Sequence, residues 1–243
     1  MSWWYFLLLI PFNSVLTFES RVFSGDDLRF EEHKHLVKLK LKMLHKKFPG
    51  YCSGSILNNY WVITSAHCFR GSEYQVSIFH QTEEGQRIIA KADPARVNIH
   101  PEWKPHDKTM TNRANDLALV KTTHPIMFSD HVQPIKLSMT FPRSRQSGII
   151  AGFGESETDL EPPREGFVEI EPCSFGVPKL LCSTHMVRAG SGDSGGSLMS
   201  NGKLVGVTSA SCKEVLEPKE CTTVYVSVAA HLPWIQEVIM STK

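Results

Sequence analysis

Short apolar runs separated by turn residues recur along most of the chain: Tyr60 to Ile63, Tyr74 to Phe79, Arg87 to Ala90, Leu117 to Lys121, Ser147 to Ala151, Leu204 to Ser209 and Thr222 to Val228. Runs this short, with turn signals between them, predict an all-β fold rather than a parallel α/β one. Leu36 to Leu44 alternates as Lys38-Leu39-Lys40-Leu41-Lys42-Met43, a period-two strand with one apolar and one basic face. Together with His33, Lys34, His35, His45, Lys46 and Lys47 it forms a basic strip, which reads as a solvated strand face. His33 and His35 share a face of that strand but lack carboxylate or cysteine partners, so no metal site is expected there. Helical periodicity is confined to His231 to Ile239, which predicts one short amphipathic helix near the C-terminus.

Composition narrows the picture. A chain of 243 residues can bury a large core. Lys and Arg number 26 against 25 Asp and Glu, a formal charge of +1, so no global field points to nucleic acid or a membrane surface. Met1 to Leu16 carries no charged side chain and contains the run Trp3 to Ile10, too short to span a bilayer. Residues 1–17 are therefore expected to be a secretory signal peptide, leaving a mature form without a membrane span. Six cysteines, an even number, agree with an oxidising, extracellular compartment. No Cys-x-x-Cys pair supports a metal site instead, and no Asn-x-Ser/Thr sequon is present.

Chemistry concentrates in three segments. Gly192-Asp193-Ser194-Gly195-Gly196 sets a serine between glycines, which allow a sharp turn with N–H groups aimed at one oxygen atom. A serine hydroxyl is a weak nucleophile until a base takes its proton. A candidate base is His67 in Thr64-Ser65-Ala66-His67-Cys68, and a candidate orienting acid is Asp116 in Asn115-Asp116-Leu117-Ala118-Leu119. In the order His, Asp, Ser these motifs resemble the chymotrypsin/trypsin family of serine peptidases, from which the worked triad mechanism is drawn.

That resemblance covers the chain from Val22 onward. It implies two six-stranded antiparallel β-barrels, a short C-terminal helix and a catalytic cleft between the barrels. Catalysis would fall to His67, Asp116 and Ser194, with the N–H groups of Gly192 and Ser194 as oxyanion hole and Ser209 buttressing the aspartate. No cofactor or metal is implied. Arg21-Val22-Phe23-Ser24-Gly25 stands where the family is activated: residues 18–21 would be a short propeptide and 22–243 the peptidase domain. Cleavage after Arg21 would free the Val22 amine to pair with Asp193. The same resemblance pairs Cys52 with Cys68 and Cys173 with Cys182, leaving Cys212 and Cys221. Expected partners are protein or peptide substrates, an activating protease and protein inhibitors.

The expected substrate pocket departs from the family pattern. Arg188 stands at the floor, where it would repel the Lys and Arg side chains a trypsin accepts; a one-residue slip would put Val187 there instead. Ser209-Ala210-Ser211 replaces the usual Ser-Trp-Gly wall, and Thr223 replaces a glycine. Gly190 replaces a cysteine, so the disulfide that usually ties this pocket is missing. Three readings follow: a peptidase for acidic side chains, one for small side chains, or a catalytically weak homologue acting as a binding protein.

Overall fold

The computed structural model describes residue 22 and residues 25–43, 47–70, 74–154, 163–183, 187–211 and 223–241. The expected leader over 1–17, the 18–21 segment with Arg21, and Cys212 and Cys221 lie outside the described residues. In chain order the first half holds β1 (Asp26–Asp27), β2 (Leu36–Met43), β3 (Gly50–Ile56), β4 (Trp61–Thr64), β5 (Tyr74–Thr82), β6 (Gly85–Ala92), β7 (Val97–Ile99), the single-turn helix α1 (Met110–Arg113) and β8 (Ala118–Lys121). The second half holds β9 (Lys136–Leu137), β10 (Gln146–Gly152), β11 (Arg164–Pro172), β12 (Leu180–Ser183), β13 (Ser197–Ser200), β14 (Lys203–Ser211), β15 (Thr223–Ser227) and helix α2 (Leu232–Ser241).

Two barrel-like sheets result. In the second half six strands run β11-β10-β13-β14-β15-β12, and a β11–β12 pairing closes the ring. In the first half seven strands run β6-β5-β2-β3-β4-β8-β7, a half-barrel rather than the closed six-stranded one expected. The 3-10 turn Pro94–Arg96 separates β6 from the three-residue β7, too short to carry the sheet round to closure. A single backbone bond, Thr123 N–H to the Lys91 carbonyl at 2.9 Å, ties the end of β8 back to β6.

Each sheet fills its own interior, and a third cluster joins them. Val37, Leu39, Leu41, Ile56, Val62, Val76, Ile78 and Val120 pack inside the first. Val22, Ile150, Val168, Ile170, Leu181, Leu198, Val205 and Tyr225 pack inside the second. Between them Trp61, Ile63, Leu117 and Leu119 meet Leu204, Val207, Val224 and Val226, and α2 adds the fully buried Ile235. Burying one such aliphatic side chain contributes about 2 kcal/mol, so this seam holds the two halves together.

The basic strip differs from a solvated face. Lys38 is buried, its Nζ lying 4.5 Å from the centre of the Tyr51 ring, and Lys40 shares that ring. The lysine stems cover an aromatic side chain that water would otherwise wet. His33 and His35 precede β2 instead of sharing its face, and both are buried. His33 Nε2 lies 2.6 Å from Glu165 Oε2, while Arg29 Nε donates to Glu165 Oε1 at 2.5 Å. Glu165 thus ties the N-terminal segment to β11.

Burial holds several histidines neutral. It pushes His35 down to about 3, helped by nearby His33 and His80, and with Arg87 pushes His80 down to about 4. Burial, reinforced by His231, lowers His100 to about 4. Unfolding frees each ring to bind a proton near pH 6.5, so stability is full above that pH and declines as pH falls toward 4. His35→Phe is expected to flatten the urea-unfolding free energy between pH 6.5 and 5 by about 2 kcal/mol. An unchanged pH slope in that variant would rule out His35 as a contributor.

Candidate active site

His67 sits in a 3-10 turn, Ala66–Phe69, directly after β4. The turn is anchored by buried Ala66, Cys68 and Phe69, so His67 is its only side chain left partly open. Cys68 is bonded to Cys52 on β3, which closes a loop across 16 positions. A loop of that size stabilises by roughly 3 kcal/mol in the chain-entropy view, and here it also restrains the residue next to the imidazole. Cys173, just after β11, and Cys182, in β12, form a second disulfide that spans the connection between these strands.

Asp116 is delivered by a compact loop whose internal bonding the sequence did not advertise. Thr109 caps α1, its Oγ accepting the Asn112 N–H at 3.2 Å. The buried Asn112 amide then holds the loop from inside. Its Oδ1 accepts the Lys104 N–H at 2.7 Å, and its Nδ2 donates to the carbonyls of Lys104 (2.8 Å) and Asp107 (2.7 Å). Leu117, directly after Asp116, is fully buried in the seam between sheets, which anchors the end of this loop.

Ser194 lies on the turn leading into β13, and backbone bonds seat that turn on both sheets, on β3 of the first and β14 of the second. Ser53 N–H donates to the Ser194 carbonyl at 2.8 Å, and Gly195 N–H donates to the Thr208 carbonyl at 2.7 Å. Ser65 Oγ donates to the same Thr208 carbonyl at 2.7 Å. Gly195 has φ +82°, and a Cβ there would collide with the Ser53 carbonyl and Thr64 Oγ1. Only glycine satisfies both the conformation and the approach.

These elements bring the three side chains into one hydrogen-bonded chain. His67 Nε2 lies 2.8 Å from Ser194 Oγ, and His67 Nδ1 lies 2.7 Å from Asp116 Oδ2. Asp116 is buried, and its oxygens take three donors: His67 N–H (2.8 Å), the His67 ring and Ser209 Oγ–H (2.5 Å). Burial alone would raise this carboxyl, but the imidazole beside it and the hydrogen bonds from His67 and Ser209 outweigh that and hold it low. Ser209 is aimed at Asp116 by an irregularity in the β14–β15 ladder between Thr208 and Ala210. A bulge re-aims a side chain through a local kink and added twist of its strand.

The turn before Ser194 is equally ordered. Gly192 has φ +87°. Asp193, buried, accepts Gly154 N–H on Oδ1 at 2.9 Å and Gly190 N–H on Oδ2 at 2.8 Å. Val22, 1% exposed, is packed into the interior of the second barrel with Val187 beside it. Val187 fills the space that Gly166 leaves by lacking a Cβ, so its side chain points at Val22. Arg188 is half-buried, Ser211 is half-buried and paired in register with Thr223, and Thr223 is fully buried. Thr223 Oγ1 accepts the Ala189 N–H at 2.9 Å. Among the described residues no three His, Cys, Asp or Glu side chains are gathered where they could hold a metal ion. No helix of the described residues is long and apolar enough to cross a membrane.

Comparison with known proteins agrees with this architecture. The family model Trypsin matches residues 22–235. "Snake venom serine protease KN6" of Trimeresurus stejnegeri is 28% identical, the match covering 96% of this chain and 93% of that one. "Venom plasminogen activator Haly-PA" of Gloydius brevicauda is 27% identical over the same shares of each chain. A solved structure described as "Structure of GrC" superposes with a TM-score of 0.73 at 18% identity, covering 89% of this chain and 99% of that one, a likeness of fold. The chain belongs to the Trypsin family. It is a serine endopeptidase, a hydrolase acting on protein substrates.

The Ser209 contact has a measurable consequence. A carboxylate held low in the folded state contributes stability above its unfolded value, near 3.9, and loses it as pH falls through the folded value. Ser209→Ala removes one donor, so acid unfolding is expected to begin at higher pH, with about 1–2 kcal/mol lost at pH 7. An acid-unfolding curve that coincides with that of the parent protein would rule out this coupling.

Proposed function

We propose that the chain is a secreted serine endopeptidase that works through Ser194, His67 and Asp116, made as a zymogen and activated by cleavage after Arg21. One observation carries the reading: the unbroken relay from Ser194 Oγ to His67 Nε2 (2.8 Å) and from His67 Nδ1 to Asp116 Oδ2 (2.7 Å). Ser194 Oγ attacks the acyl carbon while His67 Nε2 takes its proton. The Gly192 and Ser194 N–H groups receive the developing oxyanion, where each such donor contributes about 3 kcal/mol. His67 then returns the proton to the leaving amine, and water repeats the sequence on the acyl-enzyme. Asp116 keeps the proton on Nδ1 and stabilises the imidazolium, and Ser209 holds Asp116.

Activation is supported by the burial of Val22 and Asp193 and by a family match that begins at residue 22. Residues 22–243 would be the mature enzyme, following a leader (1–17) and a propeptide (18–21). The apolar start of the chain, two disulfides and relatives named as venom proteases support secretion.

Substrate choice follows from the wall beside Ser194. The packing of Val187 against Val22 supports Arg188 rather than Val187 as the residue at the pocket floor, and the Thr223 bond to Ala189 supports a filled wall. A cationic floor disfavours Lys and Arg, and a filled wall disfavours bulk. The residue before the scissile bond is therefore small, or acidic where it reaches Arg188.

Zymogen cleaved at Arg21 is expected to hydrolyse peptides with small or acidic residues at that position, and Ser194→Ala to lower kcat at least ~1,000-fold. No Ser194-dependent turnover on a peptide library, or a preference for Lys and Arg, would overturn the reading. Thr223→Gly is expected to raise kcat/KM toward large apolar residues at least about tenfold, since a methylene in a tight pocket is a 10-fold matter. An unchanged preference would place Thr223 outside the pocket.

A further inference from the structure

Ser53 lies on β3, next to the cysteine whose disulfide restrains the His67 turn, and it is completely buried. A buried serine must place a donor and an acceptor on its hydroxyl and one of each on its backbone. Ser53 does so almost entirely with the catalytic half of the second barrel. Its amide donates to the Ser194 carbonyl at 2.8 Å. Its Oγ–H donates to the Gly192 carbonyl at 3.0 Å, and the same oxygen accepts the Phe153 N–H at 2.9 Å. Its carbonyl accepts Thr64 Oγ–H at 2.7 Å.

The hydroxyl contact matters because of what Gly192 is. At φ +87° a glycine has no side chain to restrain its neighbouring peptide planes, so they rotate unless something outside holds them. The Gly192–Asp193 plane is held at both edges: Ser53 Oγ takes its carbonyl, and its Asp193 N–H donates to the Gly190 carbonyl at 3.2 Å. Two consecutive amides, Phe153 and Gly154, then bind Ser53 Oγ and Asp193 Oδ1. One loop of the second barrel is thereby locked to both sides of the same plane.

We infer that the Ser53 hydroxyl is a positioning group for the oxyanion turn, reaching from the first sheet to fix the peptide that follows Gly192. The inference rests on the catalytic reading of Ser194, His67 and Gly192. Ser53 touches no reacting atom. It acts by holding the plane on one side of Gly192, so that the Gly192 N–H on the other side stays aimed at the oxyanion. Without the hydroxyl, the Gly192 carbonyl and the Phe153 N–H are left buried and unpaired, and the turn is free to seek other partners.

The test uses activated enzyme and its Ser53→Ala variant, with active sites titrated so that kcat refers to folded, competent molecules. Ser53→Ala is expected to lower kcat per titrated site roughly tenfold, with KM within about twofold, because oxyanion contacts form in the transition state. Affinity for a peptide boronic acid, which forms a tetrahedral adduct on Ser194, is expected to fall by a similar factor. The acidic limb of the pH–rate profile should stay in place, since the His67–Asp116 contact is untouched. Ser53→Gly provides a second hydroxyl-free variant should the alanine form fail to fold, and Ser53→Thr, which keeps the hydroxyl, should recover most of kcat. Wild-type kcat per site in the hydroxyl-free variants, or a lower kcat with unchanged boronic acid affinity, overturns the inference. Failure of the parent enzyme to turn over at all would instead overturn the catalytic reading beneath it.

Discussion

The two sheets of this protein meet at backbone distance where Gly195 lies against the Ser53 carbonyl and Thr64 Oγ1. Everything proposed for the site depends on that approach. A side chain at Gly195 would push the Ser194 turn away from β3 and β4, and with it the hydroxyl from the imidazole. The relay needs 2.8 Å between Ser194 Oγ and His67 Nε2, yet the two groups belong to different sheets. The apolar seam of Trp61, Leu117, Leu204, Val224 and Ile235 supplies the adhesion but is non-directional. The hydrogen bonds that Ser53 and Ser65 send across to the second sheet supply the direction. Adhesion without direction would leave a hydrophobic interface and no aligned nucleophile.

Much of the site could be read from the chain because it is written in short contiguous motifs. The glycines around Ser194, the Ala-His-Cys turn and Asp116 ahead of an apolar strand each carry local constraints that residue type alone expresses. The strands with apolar runs, β4, β5, β8, β10, β14 and β15, were legible for the same reason. What escaped was non-local. β3 reads Gly-Tyr-Cys-Ser-Gly-Ser-Ile, small and polar, and is a strand because β2 and β4 pair with it on either side. β13 is likewise a short serine-flanked segment that is fully buried between β10 and β14. The half-barrel outcome for the first sheet depends on how a three-residue β7 ends, which no periodicity reports. Asn112 and Ser53 look ordinary in sequence; their importance lies in bonds across several or a hundred positions.

The buried carboxylates among the described residues follow one rule. Asp116, Asp193 and Glu165 are each almost fully buried, and each is surrounded by donors: imidazole and hydroxyl for the first, two backbone N–H groups for the second, imidazole and guanidinium for the third. An unpaired buried carboxylate would cost several kcal/mol, so these acids cannot have been placed before their partners. Each of the three also joins segments distant in the chain. Asp116 joins the first sheet to β14, Asp193 joins the Ser194 turn to Gly154, and Glu165 joins β11 to the residues before β2. The same carboxylates that look like isolated acids in sequence are the fasteners of the tertiary structure.

The proposed substrate wall combines packing and hydrogen bonding in one side chain, Thr223. Residues touching Asp116 and the Ser194 turn are constrained by several bonds at once, so substitution there disturbs the relay. Thr223 and Ser211 are paired across the β14–β15 ladder, whose backbone bonds do not depend on the side chain. A threonine can replace a glycine at such a place provided its hydroxyl finds a partner, and the Ala189 N–H supplies one. That bond also ties the residue before Gly190 to β15. The wall is thereby both filled and fastened by a single residue. The substrate preference proposed above rests on that residue, while Ser209 on the neighbouring strand keeps its bond to Asp116.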